Sequence, residues 1–337
     1  MSEYQQIVLA SRPRGTPTED NFRIENAQIP IPTDGQVLVR TLYLSLDPYM
    51  RGRMNDAKSY AAPVNIGGVM EGEVVAVVTE SRHADYRVGD VVQGRIGWRT
   101  HAAVAPTVLK RVDTRGNALT TALGVLGMPG FTAYSGMTVI GQPKPGETVV
   151  VAAASGPVGS LVGQLAQLAG ARAVGIAGGP TKCAYLRDEL KFDGVVDHRS
   201  ADMAGDLAKL CPDGIDVYFE NVGGAIWQAV LPLLNRYARV PACGVIAYYN
   251  GPGSAEEGLL SQTMTAIVRQ SLQIRGFINT EFVDRYYSDF LNELAPKVAA
   301  GEIRYREDIV DGLQEAPKAF IGMLAGRNFG KLLVKVG

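Results

Sequence analysis

A strand–turn–helix pattern occupies Val149-Val150-Val151-Ala152-Ala153-Ala154-Ser155-Gly156-Pro157-Val158-Gly159-Ser160. An apolar run gives way to small residues and then to apolar residues at helical spacing, which predicts a strand, a tight turn and a helix. Ala154, Gly156 and Gly159 fit the dinucleotide fingerprint G-x-G-x-x-G, with alanine in the first place. Pro157 and Val158 open the helix, where free N–H groups would receive a pyrophosphate. An ordinary turn with small packing residues is the alternative.

The end of the next predicted strand bears on the choice of dinucleotide. An NAD site usually carries Asp or Glu about 20 residues after the glycines, on the ribose 2′-hydroxyl. Here Ala173–Ala177 is followed by Gly178-Gly179-Pro180-Thr181-Lys182, which has a cation and no acid. Lys182 would attract a 2′-phosphate, so NADPH is favoured over NADH. A solvated lysine at a helix start is the alternative.

Composition excludes several classes of function. The chain has 337 residues, enough for two domains, and its net charge of −1 provides no attraction to nucleic acid or anionic membrane. Its three cysteines and three histidines are widely spaced, so we expect neither disulfides nor a zinc site. The sequence shows no signal-peptide pattern and no apolar run of membrane-spanning length, so we expect a cytoplasmic protein.

The pattern along the chain predicts an α/β protein with two domains. Residues 6–121 are rich in strands, whereas alternating strands and helices begin at Gly124 and predict a doubly wound parallel sheet. The last predicted strands, Ile303–Arg306 and Gly330–Val336, have no helical partners. We therefore assign residues 1–124 and 290–337 to one discontinuous domain and residues 125–289 to an inserted Rossmann domain.

Candidate site residues follow the apolar runs of the inserted domain. Ligands of doubly wound sheets bind at the carboxyl ends of the strands. Asn221, Gly244, Tyr249 and Asn250 each follow an apolar run, where a nicotinamide should lie. In the other domain, Tyr49 lies in a proline-broken stretch that we place near the cleft. A buried tyrosine with a satisfied hydroxyl is the alternative for Tyr49.

Several motifs in this order resemble one family. They are Ser45–Met54, Gly127–Tyr134, Ala152–Gly159, Glu220–Gly224, Tyr249-Asn250 and Gly326–Lys331. The chain resembles the zinc-free medium-chain dehydrogenase/reductase family, in the group of leukotriene B4 12-hydroxydehydrogenases, prostaglandin reductases and alkenal double-bond reductases. The resemblance covers nearly the whole chain. It implies that the discontinuous domain is a GroES-like β-barrel catalytic domain and that the protein is a homodimer.

The resemblance also implies roles for individual residues. Gly156–Gly159 would hold the pyrophosphate and Lys182 the 2′-phosphate. His198 stands where many relatives have a tyrosine on that phosphate, and it could still donate to phosphate, with some pH sensitivity. The alternative is that His198 points to solvent and Lys182 acts alone. The positions implied to line the nicotinamide half are Asn221, Cys243, Gly244, Tyr249, Phe277, Ile278 and Asn328.

The implied reaction is reduction of a C=C bond conjugated to a ketone or aldehyde, with curcumin-like or alkenal substrates. Zinc enzymes of the superfamily have a Gly-His-Glu segment where Gly67–Gly72 has neither histidine nor cysteine, so we expect no metal. The enolate charge would be held by hydrogen-bond donors, for which the candidates are the ribose 2′-hydroxyl of the cofactor and the phenol of Tyr249. Tyr49 would be a secondary donor or a wall of the substrate pocket. The substrate pocket is expected to include Tyr60, Met128 and Tyr249.

Two other functions compete with this one. The same fold and cofactor would serve a quinone reductase. A protein that binds NADPH without consuming it, as a sensor or a structural component, is the alternative from another class.

Overall fold

The structure is a computed structural model that describes residues 3–251 and 259–337. Its strands are β1 (Glu3–Leu9), β2 (Phe22–Gln28), β3 (Val37–Ser45), β4 (Val74–Ser81), β5 (Val91–Gly94), β6 (His101–Val104), β7 (Leu109–Arg111), β8 (Thr148–Ala152), β9 (Arg172–Ala177), β10 (Gly194–Asp197), β11 (Ile215–Phe219), β12 (Leu234–Ala242), β13 (Gln273–Gly276), β14 (Glu307–Asp311) and β15 (Lys331–Lys335).

Its α-helices are α1 (Met50–Arg53), α2 (Met128–Ser135), α3 (Pro157–Leu168), α4 (Pro180–Ala184), α5 (Met203–Leu210), α6 (Gly224–Val230), α7 (Leu259–Gln270), α8 (Val283–Ala299) and α9 (Ala316–Leu324). Among these described helices, none is long and apolar enough to cross a bilayer.

The chain divides into two compact units. Met1–Leu123 and Glu307–Gly337 form the first unit, and Gly124–Arg306 form the second. The sequence pattern placed the second boundary between the domains at residues 289/290, which would cut α8 in the middle. The structure instead keeps all of α8 in the second unit, because the ring of Phe290 packs 5.5 Å from the rings of both Phe131 and Tyr134.

The second unit contains the predicted doubly wound sheet. Its six strands are parallel and lie in the order β10-β9-β8-β11-β12-β13. This is the strand order of a Rossmann fold, with β8 as its first strand. All five residues of β8 are buried, as expected for a strand covered on both faces. The predicted Rossmann fold is therefore confirmed.

The first unit is a mainly antiparallel β unit. One sheet runs in the order β14-β15-β3-β4-β5-β7, with β6 paired to β3, and β1 pairs with β2 separately. Its core contains three aromatic rings, with Phe22 stacked on Trp98 at 5.6 Å and Phe320 edge-on to both. Packing of this kind joins segments that are almost 300 residues apart in sequence.

The C-terminal strands differ from the prediction. The final strand is present as β15, but Ile303–Arg306 is not a strand, and β14 begins only at Glu307. The expectation that these strands lack a helical partner is wrong, because α9 connects β14 to the parallel strand β15. Phe320 of α9 is fully buried in the aromatic core, so tertiary packing holds this helix against the sheet.

Candidate active site

The turn between β8 and α3 has the geometry of a phosphate-binding turn. Gly156 caps α3 and Pro157 is its first residue. Ala153 takes a left-handed φ of 50°, which turns the chain sharply after the strand. A Cβ added at Gly159 would lie 2.6 Å from the carbonyl oxygen of Ala153 and 2.7 Å from Cα of Ala154. Only glycine fits at Gly159, because both obstacles are backbone atoms.

This turn suits an anionic group. The first N–H groups of a helix have no acceptors within the helix, and the helix dipole places positive charge at the same end. At Gly156 an added Cβ would approach the Ala153 carbonyl to 3.2 Å, so the surface here is bare backbone. The residues present therefore fit the pyrophosphate of a dinucleotide.

Positive side chains gather at the carboxyl end of β9. A Cβ added at Gly178 would lie 2.5 Å from Nε2 of His198, and one at Gly179 would lie 3.1 Å from a guanidinium nitrogen of Arg199. Burial, the charge of Arg199 and, more weakly, Lys182 all lower the pKa of His198, so its imidazole is neutral at pH 7. Lys182 and Arg199 supply positive charge, and the neutral imidazole of His198 can supply a hydrogen-bond donor. This set of three side chains, the cationic group, fits a 2′-phosphate.

Asp197 is the carboxylate closest to this group in sequence, and it is turned toward backbone. Its Oδ1 accepts the N–H groups of Gly179 and Arg199, both at 2.9 Å. These backbone donors, with Gly179 first, lower the pKa of Asp197. Asp197 therefore shapes the loops that carry the cations.

The side chain of Asn221 joins the carboxyl ends of three strands. Its Nδ2 donates to the carbonyl of Ala152 at the end of β8 at 2.8 Å, and its Oδ1 accepts from Sγ of Cys243, after β12, at 2.9 Å. Burial and the neighbouring Glu220 raise the pKa of Cys243 to about 12, so its thiol remains protonated. Asn221 and Cys243 thus stiffen the strand edge at which the nicotinamide was predicted.

Glu220 supports this edge and was not selected from the sequence. Its Oε1 accepts the hydroxyl of Tyr218 at 3.0 Å and the N–H groups of Val222 and Gly223 at 2.6 and 2.8 Å. The buried carboxylate therefore closes the turn between β11 and α6. A glutamate at the end of an apolar strand, directly before Asn-Val-Gly-Gly, was the signal available in the sequence.

Tyr249 lies farther from its strand than the sequence predicted. The sequence pattern placed Tyr249 directly after an apolar run, but β12 ends at Ala242, and a 3-10 helix over Ile246–Tyr248 precedes Tyr249. The hydroxyl of Tyr249 lies 3.3 Å from a Cβ built on Gly244, so the two predicted residues do meet. The adjacent Tyr248 accepts the N–H of Gly224 at 2.8 Å.

Three predicted site residues of the second unit remain, which are Phe277, Ile278 and Met128. The N–H of Phe277 donates to the carbonyl of Ala242 at 3.2 Å, and its ring is buried against Phe219. Phe277 is therefore a core residue whose backbone borders the strand edge. The N–H of Ile278 donates to Glu281. Met128 is the first residue of α2 and is half-buried.

The remaining candidates belong to the first unit. Tyr49 directly precedes α1, and burial, reinforced by the Asp47 carboxylate, raises the pKa of its phenol far above the usual range. Tyr60 is 62% exposed. Nδ2 of Asn328 donates to the carbonyl of Gly330 at 2.9 Å.

A buried ion pair near Tyr49 was not foreseen. Nζ of Lys331 lies 2.7 Å from Oδ1 of Asp47 and also donates to the carbonyl of Leu46 at 2.7 Å, while the hydroxyl of Ser45 donates to the other carboxylate oxygen. The two partners are 284 residues apart, so no local pattern could reveal them.

The stretch that we matched to the ligand segment of the zinc enzymes carries a buried methionine. In the stretch Gly67–Gly72, fully buried Met70 precedes Glu71. Across residues 3–251 and 259–337, no group of three His, Cys, Asp or Glu side chains could hold a metal ion.

Known proteins resemble the chain along its whole length. Two family models match, described as "N-terminal domain of oxidoreductase" over residues 5–112 and "Zinc-binding dehydrogenase" over residues 157–295. The NADPH-dependent curcumin reductase of Escherichia coli is 50% identical over 333 residues, 98% of this chain and 96% of that protein. The NADP(+)-dependent 2-alkenal reductase of Nicotiana tabacum is 37% identical, over 98% and 97% of the two chains. The crystal structure of CurA from Vibrio vulnificus in complex with NADPH has a TM-score of 0.93 and 48% identity, with 99% of each chain covered.

Proposed function

Because the chain belongs to the medium-chain dehydrogenase/reductase family, in the group of the curcumin and alkenal reductases, we propose that it reduces C=C bonds conjugated to a carbonyl, with NADPH. The observation that carries the cofactor choice is the cationic group formed by Lys182, His198 and Arg199 where an NAD enzyme would have an acid. Enones and enals are the substrates because the charge that develops in their reduction can be held by hydrogen bonds.

In the proposed reaction, residues of the chain bind NADPH, orient the substrate and donate hydrogen bonds to it. NADPH, when bound, supplies a hydride for the β-carbon of the substrate. The Gly156–Gly159 turn holds the pyrophosphate and the cationic group holds the 2′-phosphate. Tyr249 donates its O–H to the oxygen on which enolate charge collects, with Tyr49 as second donor. The raised pKa of Tyr49 keeps its phenol protonated, so this residue acts as a hydrogen-bond donor throughout the neutral range. The proton for the α-carbon comes from Tyr249 or water.

Phenylalanine variants test whether Tyr249 or Tyr49 is the principal hydrogen-bond donor. Tyr249→Phe keeps the ring and removes only the hydroxyl, so NADPH affinity should hold while turnover falls. Loss of one oxyanion donor costs on the order of a hundredfold, and the ribose hydroxyl shares this task, so we expect a smaller loss. Unchanged turnover in Tyr249→Phe combined with abolished turnover in Tyr49→Phe would reverse the assignment.

We propose that no metal takes part. The donor set argues for this, since Met70 and Glu71 stand in the stretch where zinc enzymes have histidine followed by glutamate. Elemental analysis should show no stoichiometric zinc, and activity should survive a chelator. Activity lost to the chelator and restored by zinc would contradict the proposal.

The substrate is an elongated apolar enone, such as a curcumin-like diarylheptanoid or a lipid-derived alkenal. The proposed pocket residues Tyr49, Tyr60, Met128 and Tyr249 offer flat aromatic and flexible thioether surfaces. A screen of NADPH oxidation with curcumin, alkenals, cyclic enones and quinones tests the function. Faster turnover of quinones would favour a quinone reductase. Tight NADPH binding without oxidation across the panel would favour a sensor or structural protein.

We also propose that the protein is a homodimer that joins at the β13 edge. β13 ends the sheet, and α7, which packs on the neighbouring strand β12, exposes Leu260, Met264 and Val268, an apolar surface that a second copy would cover. Analytical ultracentrifugation should give twice the chain mass, and Val268→Asp should shift the mass toward the monomer.

We propose that the protein is located in the cytoplasm. Cys183, Cys211 and Cys243 are free thiols in the structure, which suits a reducing compartment.

A further inference from the structure

A buried arginine lies beside two of the proposed pocket residues. Arg53 ends α1, the single helical turn that follows Tyr49. Its side chain is only 3% exposed, whereas the ring of Tyr60 is largely exposed. The guanidinium lies 4.3 Å from the centroid of the Tyr60 ring and 5.8 Å from that of the Tyr49 ring. Arg53 therefore lies between a partly buried tyrosine and an exposed one.

Several contacts fix the position of this guanidinium. Its Nε lies 3.1 Å from Oε2 of Glu71, and its Nη1 donates to the carbonyl of Ala61 at 3.0 Å. The backbone carbonyl of Arg53 also accepts the N–H of Val64 at 2.8 Å. The ion pair connects Arg53 to Glu71, the residue after buried Met70, and the two hydrogen bonds connect it to Ala61 and Val64, close to Tyr60 in the chain.

The segment around Tyr60 is otherwise poorly packed. All side chains from Asp56 to Tyr60 are exposed, so burial of apolar surface contributes little to its position. A guanidinium over an aromatic face is attractive, and the attraction grows when the cation is desolvated, as Arg53 is. The planar group also donates in a fixed geometry, which a lysine ammonium cannot reproduce.

We propose that Arg53 is a positioning residue that holds the Tyr60 ring beside Tyr49 as a flat wall, and that this wall selects enones bearing an aryl group over short-chain enals. The inference rests on the proposed function and names the substrate class for it. An aryl group of the substrate would stack on the exposed surface of Tyr60, a contact that a short enal lacks. Such an aromatic pair corresponds to about a 2- to 12-fold preference.

Steady-state kinetics with NADPH and two substrates, curcumin and 2-hexenal, test the inference. Arg53→Lys and Tyr60→Ala should each lower the ratio of kcat/KM for curcumin to kcat/KM for 2-hexenal about 2- to 12-fold, mainly by raising KM for curcumin. Tyr60→Phe, which keeps the ring, should retain the preference. The double variant Arg53→Lys/Tyr60→Ala should have about the same kcat/KM for curcumin as Tyr60→Ala, because both substitutions remove the same wall of the pocket. Arg51→Lys is the matched control, since Arg51 bonds to Asn55 and Gly15 instead.

Limited proteolysis provides a readout that does not depend on turnover. Exposed Lys58 lies in the segment that Arg53 holds, so Arg53→Lys and Tyr60→Ala should speed tryptic cleavage after Lys58, whereas Arg51→Lys should not. Two results for Arg53→Lys would overturn the positioning role. One is an equal loss of kcat/KM for curcumin and 2-hexenal, and the other is cleavage after Lys58 at the wild-type rate. If the wild-type protein reduces neither curcumin nor 2-hexenal, the proposed function fails and the selectivity fails with it. If the wild-type protein is active, a failed selectivity test counts against the inference alone.

Discussion

The two units build their functional surfaces by different means. In the second unit, the turn at Gly156–Gly159 presents backbone, and its geometry depends on small residues adjacent in sequence. In the first unit, Tyr49 lies among charged side chains, including the buried pair of Asp47 with Lys331 and the pair of buried Arg53 with partly exposed Glu71. One surface is a local backbone conformation, and the other is a network of side chains from distant segments.

This difference determines how each unit should respond to substitution. A buried ion pair is costly to break from one side, because the remaining charge stays buried without a partner. A backbone site tolerates many changes around it but not the addition of atoms at the glycines. The four predictions that follow would sharpen or break this contrast.

The largest effect is expected for Lys331→Met in the first unit. The side chains of Lys331 and Asp47 are only 3% and 5% exposed, so the variant leaves a buried carboxylate unpaired. We expect a loss of about 3–5 kcal/mol in the free energy of unfolding, measured with denaturant. Lys335→Met, at an exposed position of the same strand, should cost less than about 0.5 kcal/mol. Similar losses in both variants would show that the pair does not organise this unit.

Lys182→Ala in the second unit should act on cofactor choice. A hydrogen bond to a charged group contributes about 1.5–3 kcal/mol, so NADPH affinity should fall by that amount and NADH affinity should change little. Fluorescence titration with both nucleotides measures the two affinities. Lys209→Ala is the control, because that exposed lysine pairs with Asp206. Equal losses for NADPH and NADH would contradict the assignment of Lys182 to the phosphate.

Gly159→Ala tests the backbone site directly. The added Cβ would meet backbone atoms at 2.6 and 2.7 Å, so α3 must move away from β8. We expect a cost of about 1–3 kcal/mol in stability, together with weaker binding of both nucleotides. Gly156→Ala, whose Cβ would meet the nearest atom at 3.2 Å, should destabilise the fold less. Thermal unfolding that ranks the two variants in the opposite order would contradict the packing argument.

The smallest effect concerns His198 and pH. Burial and Arg199 lower its pKa, so the imidazole is neutral at pH 8, and a nearby phosphate dianion would favour the protonated form. The affinity for NADPH relative to NADH should therefore rise as pH falls from 8 to 6.5, by roughly 1 kcal/mol or less. In His198→Ala the rise should flatten. Parallel profiles for the two proteins would show that His198 does not face the phosphate.

The sequence alone was sufficient where structure depends on neighbours along the chain. The small residues from Ala153 to Gly159 predicted the phosphate turn, because its tight bend and close packing exclude larger side chains. The apolar runs with helices between them predicted the parallel sheet, because buried parallel strands need helices on both faces. Lys182 and His198, which the sequence also singled out, lie near the same strand end in the structure.

Only the tertiary structure decided what depends on distant partners. The packing of Phe290 keeps α8 in the second unit, and α9 is held by Phe320 against Trp98, a residue far away in sequence. The charges around Tyr49 come from β15 and from the segment near Glu71, so no spacing along the chain reports them. Local patterns encode backbone conformation, whereas the burial and pairing of charges are set by the three-dimensional arrangement, because both depend on which surfaces exclude water.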